Sequence, residues 1–323
     1  MPGPWEEPAT LADALACYRL LLGRQADPDG LAHYHHRLDD GSLTVGELVA
    51  EFVGSVEFAR SHGLARGRGP RPSEVVATSE GFKIHVDPTD YAVGHTIARD
   101  GTYEPDVTLA VRGLLHEGAT FVDAGANIGW FTMLAASLVG PSGMVVGIEP
   151  NPANTELARK SVADNGFGNV ELATVALSDR AGAVALETDG SNGRVVLVDG
   201  PPAGPVVASY VVASCTLDSL LAGYGVSRVD VMKMDVEGAE PLVLAGAAGI
   251  LGRDRPVLVS EFYPLALDSS PWGSATGYLA QLREFGYRLS VIGHEVPEDW
   301  HDEQILSLAN SGKGQLDLLC RPG

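Results

Sequence analysis

The 323-residue chain contains little cysteine and no long apolar run. Its three cysteines, Cys17, Cys215 and Cys320, are far apart, which excludes a disulfide framework and is typical of a reducing compartment. No stretch reaches the roughly 20 apolar residues that a transmembrane helix needs, and the acidic start of the chain lacks the features of a signal peptide. We therefore expect a cytoplasmic protein without membrane contacts.

Positive charge is also scarce in this chain. Lysine and arginine together number 22 against 42 aspartate and glutamate residues, so the formal net charge is −20. Such a chain repels a phosphate backbone, and we expect no nucleic-acid partner. Hydrophobic residues make up 45% of the chain, which is enough for a large core in one or two domains.

A change of composition near residue 65 divides the chain. Residues 64–72 are rich in glycine, proline and arginine and poor in apolar side chains, which predicts a linker. We assign residues 1–65 to a small helical accessory domain, residues 66–80 to the linker, and residues 81–323 to a larger second domain.

The first of these regions has helical periodicity over residues 10–62. Thr44, with Glu47 three residues later, forms a capping box that predicts a third helix through Phe58.

Three segments of this helical region, 18–24, 27–31 and 52–58, resemble a short domain of unknown function that occurs on bacterial glycosyltransferases and surface proteins. The resemblance implies an accessory module for a protein contact, homo-oligomer formation or substrate presentation, and it implies no chemistry in this region.

Beyond the linker, short apolar strands alternate with helices. Strands are predicted at 82–86, 120–123, 145–149, 170–176, 230–235, 256–261, 287–292 and 316–320, and helices at 107–115, 129–139, 154–165, 241–251 and 278–285. Repeated βα units predict an α/β fold with a doubly wound, mostly parallel, seven-stranded Rossmann-like sheet. Ligands of such sheets bind at the carboxyl ends of the strands.

One of these strand ends carries a glycine-bearing turn with an acid at its head. Asp123 is followed by Gly125, Asn127 and Gly129, and the glycines allow a tight turn and close approach to a ligand. A dinucleotide loop usually has three glycines, because it places a pyrophosphate at a helix N-terminus. An acid here would repel phosphates but attract the ammonium group of an amino acid. The loop therefore favours S-adenosylmethionine (SAM) over NAD, and a methyltransferase over an NAD-dependent oxidoreductase.

Further polar residues follow the next two strands. Glu149 lies 26 residues after Asp123, where an acid can accept hydrogen bonds from both ribose hydroxyls. Ser178 and Asp179 follow the third strand, where we expect the adenine, and either side chain is a candidate partner for its amino group. The alternative for Asp179 is an ordinary turn residue.

Three segments resemble the FkbM-type methyltransferase family: 101–105 (GTYEP), 122–129 (VDAGANIG) and 232–240 (MKMDVEGAE). The resemblance runs from about residue 80 to 320. It implies a SAM-dependent methyltransferase sheet and methylation of a hydroxyl group on a sugar or another natural product. The glycine- and proline-rich insertion at 199–205 departs from the family, and we expect it to shape the substrate pocket.

The cofactor site predicted from the loop and from this resemblance includes residues from five parts of the chain. We predict that SAM is bound by Tyr103, Glu104, Asp123, Gly125, Asn127, Gly129, Glu149, Ser178, Asp179 and Asp235.

The segment 232–240 also supplies the candidate catalytic residues. Methyl transfer to an alcohol needs close positioning of the acceptor and a group that takes its proton. Lys233 and Asp235 share one face of a strand, and Glu237 follows on the turn. We predict that Asp235 or Glu237 accepts the proton, while Lys233 either holds the acids ionised or loses its own charge as a base. The alternative is a purely structural ion pair.

Several alternatives stay open at this stage. Glu261, after the fifth strand, is a candidate contact of the acceptor or a turn cap. Asp235, Glu237 and Glu261 would suit Mg²⁺, but their spacing is not diagnostic, so we predict no metal site. We expect a small-molecule or glycoside substrate from natural-product biosynthesis. N-methylation of a peptide or amino sugar is the first alternative, and a non-catalytic SAM-binding or scaffold protein is the second.

Overall fold

The computed structural model describes residues 7–22, 25–26, 28–53, 55, 73–91, 93–189, 191–197, 210–294, 299–312 and 314–323. The helices are α1 (Leu11–Leu21), α2 (Pro28–Asp39), α3 (Val45–Val53), α4 (Gly94–Asp100), α5 (Pro105–Leu114), α6 (Trp130–Val139), α7 (Pro152–Asn165), α8 (Leu217–Gly223), α9 (Glu240–Gly246), α10 (Ala248–Asp254), α11 (Pro264–Ser269), α12 (Ala275–Glu284) and α13 (Asp302–Ser311). The strands are β1 (Glu74–Ala77), β2 (Lys83–Val86), β3 (Thr120–Ala124), β4 (Met144–Ile148), β5 (Val170–Ala173), β6 (Ala176–Leu177), β7 (Gly182–Asp189), β8 (Asn192–Leu197), β9 (Tyr210–Cys215), β10 (Val231–Met234), β11 (Val257–Phe262), β12 (Tyr287–Val291) and β13 (Leu316–Pro322).

The main sheet in the described part of the chain has seven strands in the order β12-β13-β11-β10-β3-β4-β5. The strands from β11 to β5 run parallel, whereas β13 lies antiparallel between β11 and β12. All four residues of β10 are buried, as expected for a central strand covered on both faces. The predicted doubly wound, mostly parallel sheet is therefore confirmed.

Two apolar clusters cover the two faces of this sheet. On one face, Phe121 and Val231 pack with Val111 of α5 and Leu134 of α6. On the other face, the larger cluster joins strand residues such as Met232 to helices α9, α10, α12 and α13. Neighbouring strand residues alternate between the clusters because successive side chains point to opposite faces. Both clusters hold the strand ends in register at the edge where a ligand would bind.

A second sheet of four strands, in the order β6-β9-β7-β8, extends the fold beyond β5. The sequence predicted one strand over residues 170–176, but this stretch divides into β5 in the main sheet and β6 in the second sheet. The chain changes sheets here because β6 pairs in parallel with β9 instead of continuing beside β4. Strands β7 to β9 were not predicted. The insertion at 199–205 lies outside the described residues.

The helical region before the sheets packs around three aromatic rings. The ring of Phe52 lies 4.8 Å from that of Tyr18 and 5.5 Å from that of Tyr34, between centroids. The predicted capping box is confirmed, since Glu47 donates its backbone N–H to the Thr44 hydroxyl (3.2 Å) and accepts the Thr44 N–H (2.8 Å). Helix α3 ends at Val53, and residues 56–58, which were predicted to extend it, lie outside the described residues.

Two sequence-based boundaries need correction. The linker was predicted at 66–80, but β1 lies within this stretch and pairs antiparallel with β2, so its second half belongs to a hairpin. Residues 66–72 lie outside the described residues. The helix predicted at 241–251 is broken at Ala247 into α9 and α10. No helix in the described ranges is long and apolar enough to cross a membrane.

Candidate active site

A cavity of about 400 Å³ opens at the carboxyl ends of β3, β4, β10 and β11. This is the edge where ligands of doubly wound sheets bind. The sequence-predicted residues that line it are Tyr103, Glu104, Gly125, Asn127, Glu149, Lys233, Asp235 and Glu237. Glu261, whose role the sequence left open, lines it as well. The structure thus brings together acids from four separate segments.

The glycine-bearing loop after β3 forms one wall of the cavity. Gly125 has φ +85°, and a Cβ atom on it would lie 1.7 Å from the backbone oxygen of Asp235. The loop and the end of β10 therefore touch backbone to backbone, which only glycine allows. Gly129, with φ +95°, begins helix α6 and faces Ala158 instead of the cavity.

Asp123 lies behind this loop and does not line the cavity. Its Oδ2 atom accepts a hydrogen bond from the Thr132 hydroxyl (2.6 Å), whereas the buried Oδ1 atom has no partner. Burial raises the pKa of Asp123, and the nearby Lys233 ammonium opposes this shift. The acid at the head of the loop is thus an electrostatic neighbour of Lys233 and a support for α6.

Glu149 lies where the sequence predicted the ribose-binding acid, at the end of β4. Its Oε2 atom accepts the Asn127 N–H (2.9 Å), and its Oε1 atom accepts the Asn151 N–H (2.8 Å). Burial raises the pKa of Glu149 to about 7, although these backbone donors oppose the shift. A carboxylate offers about four acceptor positions, so capacity remains for a ligand hydroxyl.

A hydrogen-bonded chain that the sequence did not reveal holds the β7–β8 hairpin beside Glu149. The Asn154 Nδ2 atom donates to the Ser191 carbonyl (2.7 Å) and lies 3.4 Å from Glu149 Oε1. The Ser191 N–H donates to Asp90 Oδ1 (3.3 Å). We call these four residues, Asp90, Glu149, Asn154 and Ser191, the hairpin clamp. All four are buried, and Ser191 also lines the cavity.

Ser178 and Asp179 do not lie on the cavity wall, contrary to the prediction that they contact adenine. The Ser178 N–H bonds to Cys215 O because β6 has joined the second sheet, and this turns the following residues away. Asp179 is exposed beside Arg180, at a groove near the helical region. The wall where the adenine was expected is formed by Val175, Ala176 and Leu177.

Lys233 is a buried cation at the centre of the acidic part of the cavity. Its Nζ atom lies 2.8 Å from Asp235 Oδ2 and 4.6 Å from the centroid of the Phe131 ring. Burial disfavours the ammonium, but Asp235, Glu104 and Asp123 outweigh it and raise the pKa of Lys233. Of the two roles left open by the sequence, these contacts favour the charged lysine that supports the acids over the lysine that acts as a base.

Other carboxyl groups surround this ion pair. Burial raises the pKa of Glu104 to about 7, and it also raises the pKa of Glu237, with a contribution from Asp235. Burial likewise raises the pKa of Asp317 to about 6.

Glu261 is largely buried, with 9% of its surface exposed. Its Oε1 atom accepts a hydrogen bond from Gln315, whereas its buried Oε2 atom has no partner among the described residues. Burial, together with the nearby Asp235 carboxylate, raises the pKa of Glu261 well above its usual range. Gln315 and Asp317 were not singled out from the sequence. Gln315 lines the cavity just before β13, and Asp317 lies opposite Glu261 because β13 pairs with β11.

The backbone is strained at the cavity. Among the described residues, four that are not glycine have a positive φ angle. Three of them line the cavity: Glu104 (41°), Asn127 (51°) and Glu237 (56°). Such angles cost of the order of 1–3 kcal/mol each, and they persist where the surrounding structure holds them. Glu240 holds Glu237 in this way, because its Oε1 atom accepts the N–H groups of Val236 (3.1 Å) and Gly238 (3.3 Å).

The geometry gives no support to the magnesium alternative. Within the described ranges, no group of three or more His, Cys, Asp or Glu side chains is arranged to hold a metal ion. Asp235 instead points one oxygen at Lys233, and Glu261 points one at Gln315.

Residues 123–289, just over half of the chain, match the family profile described as the methyltransferase FkbM domain. The chain belongs to the FkbM methyltransferase family. Residues 14–62 match a domain of unknown function (DUF4214), in agreement with the resemblance found in the helical region. Its link to glycosyltransferases and surface proteins stays a prediction.

Individual proteins resemble this FkbM-family chain only partly. An arsenite methyltransferase of Halobacterium salinarum is 43% identical over 55 residues, which are 17% of this chain and 14% of that protein. The crystal structure of a methyltransferase FkbM from Methylobacillus flagellatus is 15% identical with a TM-score of 0.40, and the match covers 98% of this chain and 60% of that one. The crystal structure of Trm5b from Pyrococcus abyssi is 14% identical with a TM-score of 0.40, and the match covers 77% of this chain and 55% of that one. The chain thus spans less than two thirds of each of these proteins, and the scores are too low to assign a function.

Proposed function

We propose that this protein transfers a methyl group from SAM to a hydroxyl group of a sugar or another natural product. The observation that carries the proposal is the acid-lined end of the cavity, where Lys233, Asp235 and Glu237 lie beside the glycine-bearing loop. Membership of the FkbM family supplies the reaction class.

The cavity suits SAM better than a dinucleotide. Its volume of about 400 Å³ falls in the range of roughly 300–1,000 Å³ that is common for ligand pockets. Glu149 has acceptor capacity for ribose hydroxyls, and the apolar wall at Val175 and Leu177 suits an adenine ring. Among the described cavity-lining residues Lys233 is the only cation, so a pyrophosphate would meet carboxylates on most sides.

The residues of this chain would then act on the acceptor. When bound, SAM would supply an electrophilic methyl group on its sulfonium for the acceptor oxygen, with S-adenosylhomocysteine as the leaving group. The carboxylate of Asp235 or Glu237 accepts the proton that leaves the same oxygen. Lys233 orients Asp235 through the 2.8 Å contact, and Glu240 holds the turn that presents Glu237. Such proton transfer to a positioned group contributes about 10²- to 10⁴-fold to rate.

The setting of this reaction is part of the same proposal. We place it in the cytoplasm, because Cys17, Cys215 and Cys320 are all free thiols, which fits a reducing compartment. We assign the helical region to a contact with another protein or a second copy of this chain, with a small molecule or glycoside as the substrate.

Calorimetry and labelled methyl transfer test the proposed function. We expect S-adenosylhomocysteine to bind and NAD not to bind, and we expect label from SAM in an O-methyl product among hydroxylated glycosides. Glu237→Gln should keep S-adenosylhomocysteine affinity within about threefold, and at least one of Asp235→Asn and Glu237→Gln should lose 10²-fold or more in rate. Full rates in both variants would overturn the catalytic assignment, and NAD binding would overturn the cofactor assignment.

A further inference from the structure

The end of the cavity away from Glu149 carries a surplus of acidic side chains over basic ones. Glu104, Asp235, Glu237 and Glu261 all line it, and Lys233 is the only cation among the described lining residues. Asp317 adds a fifth carboxyl group, close enough to Lys233 and Asp235 to interact electrostatically with both. One positive charge thus faces five acids.

Lys233 is not available to neutralise the outer acids. Its Nζ atom is committed to Asp235 at 2.8 Å and lies against the Phe131 ring. The side chain is only 5% exposed, so it does not swing freely toward Glu237 or Glu261. Within the described part of the chain, Glu237 and Glu261 thus feel Lys233 only at a distance and form no direct ion pair with it.

Glu261 shows most directly that a donor is missing. Gln315 satisfies its Oε1 atom, but its Oε2 atom is buried in the cavity wall and has no hydrogen-bond partner among the residues that the structure describes. A buried acceptor without a donor costs about 1–3 kcal/mol, and more when it is charged. A ligand that donates an N–H to this oxygen would remove that cost.

The sulfonium and amino-acid parts of SAM do not account for this oxygen. The ribose acid Glu149 follows β4, whereas Glu261 lies in β11, and β3 and β10 separate them in the sheet. Three strand spacings amount to about 14 Å. Glu261 therefore lies on the acceptor side of the loop that approaches SAM.

We propose that the acceptor carries a protonated amine as well as the methylated hydroxyl, and that Glu261 and Glu237 bind this ammonium group. The substrate class is then an amino sugar or an amine-bearing natural product. Phosphorylated and carboxylated acceptors, such as sugar nucleotides and uronates, are excluded by repulsion. This inference rests on the proposed function, since it needs SAM in the other half of the cavity.

Matched glycosides test the charge preference. Methyl glucoside, its 2-amino-2-deoxy analogue and methyl glucuronide, with the galactose-configured series beside them, are titrated into protein saturated with S-adenosylhomocysteine. The amino glycosides should bind about tenfold tighter or more than the neutral ones, because a charge-assisted hydrogen bond contributes about 1.5–3 kcal/mol. The uronides should bind most weakly.

Variants locate the preference within the cavity. Glu261→Gln and Glu237→Gln should each reduce the ratio of amine to neutral affinity to about threefold or less, since amide side chains keep the shape but lose the charge. Glu156→Gln, on the exposed face of α7, is the matched control and should keep the ratio.

Three results would overturn the inference: equal binding of amino and neutral glycosides, no binding of any amino glycoside, or an unchanged ratio in both cavity variants. In each of these cases S-adenosylhomocysteine still binds, so the proposed function survives. Failure of S-adenosylhomocysteine to bind would instead overturn the proposed function and this inference with it.

Discussion

Lys233 and Asp235 show how far a single pair of residues can be predicted. Their separation of two in a strand placed both side chains on one face, and the structure confirms the contact at 2.8 Å. The Phe131 ring beneath the ammonium was not predicted, because it comes from α6, whose packing depends on the whole sheet. Local spacing predicts pairs within an element, and tertiary contacts decide what surrounds them.

Removing the cation should destabilise the protein more than removing both partners. Lys233→Met leaves Asp235, Glu104 and Asp123 near one another without a counter-charge, so we expect a loss of about 3–5 kcal/mol in the free energy of unfolding. The double variant Lys233→Met with Asp235→Asn should recover part of this loss. Urea unfolding of the unsubstituted protein, Lys233→Met and the double variant measures the three free energies of unfolding. A double variant less stable than Lys233→Met would contradict the ion pair.

The reaction rate should rise with pH through a raised carboxyl pKa. Burial and the neighbouring Asp235 raise the pKa of Glu237, and a base acts only when ionised. The value of kcat/KM should therefore rise up to a midpoint above about 4.3, the ordinary glutamate value, and then level off. Glu237→Gln should remove this inflection if Glu237 is the base. A profile that shows no rise at any pH above about 4.3 would contradict Glu237 as the base.

At the residue scale, prediction succeeded where a side chain follows a strand of the parallel sheet. Glu149 and Asp235 lie on the cavity as expected. Ser178 and Asp179 do not, because the chain leaves the main sheet at β6, and the sequence gives no signal for that change. Gln315 lines the cavity and Asp317 lies opposite Glu261 because β13 pairs antiparallel with a strand about fifty residues earlier, which local patterns do not reveal.

At the scale of elements, the loop after β3 depends on the absence of a side chain at Gly125. Gly125→Ala would place Cβ 1.7 Å from the Asp235 oxygen, so the loop and the end of β10 must separate. We expect both stability and S-adenosylhomocysteine affinity to fall, the stability by more than in the control. Gly81→Ala is that control, because its φ of +90° is similar but nothing lies within 4 Å of the added atom.

The control variant separates strain from the clash. Gly81→Ala should cost only about 1–2 kcal/mol, the cost of a left-handed backbone, and should leave affinity unchanged. Thermal unfolding of both variants measures the loss of stability, and calorimetry measures the change in S-adenosylhomocysteine affinity. Equal losses in the two proteins would show that the close approach of loop and strand is unimportant.

The hairpin clamp should contribute to cofactor affinity. Asn154→Ala removes the donor to Ser191 and the 3.4 Å contact with Glu149, and we expect S-adenosylhomocysteine to bind about five- to tenfold more weakly. Asn165→Ala, on the same helix, breaks hydrogen bonds to Lys83 outside the cavity lining and is the matched control. Its affinity should match the unsubstituted protein in the same calorimetric titration. Unchanged affinity in Asn154→Ala would contradict a role for the clamp.

The main sheet could be predicted because its strands are short apolar runs followed by amphipathic helices. The second sheet could not, since part of β7–β9 follows a glycine- and proline-rich stretch whose composition indicates a loop. One apolar run, 170–176, serves both sheets, and only the pairing partners show where it divides. Composition predicted that segments were buried, but not which sheet they joined.

For the whole molecule, buried acids should make the ligand-free protein less stable as pH rises. Burial raises the pKa of Glu104, Glu149 and Glu240 to about 7 and that of Asp317 to about 6. Between about 4.5 and 7 the folded protein therefore binds more protons than the unfolded chain, and its stability falls with increasing pH in this window. The net charge of −20 acts in the same direction.

Glu240→Gln tests this linkage, because an amide oxygen can still accept the N–H groups of Val236 and Gly238. The decrease in unfolding free energy from pH 5 to pH 8 should be smaller in the variant by about 2–3 kcal/mol. Guanidinium titrations at several pH values measure it. An identical pH dependence in the two proteins would show that Glu240 titrates normally.

The position of β13 between β11 and β12 has a consequence for biosynthesis. β11 is made about fifty residues before the strand that covers its edge, a delay of roughly 3–10 s at ribosomal speed. During that time Val257–Phe262, in which four of six residues are apolar, exposes an unpaired edge of the kind that templates aggregation. Chaperone supply and growth temperature should therefore govern the yield of soluble protein from an expression host, even where the finished enzyme is stable.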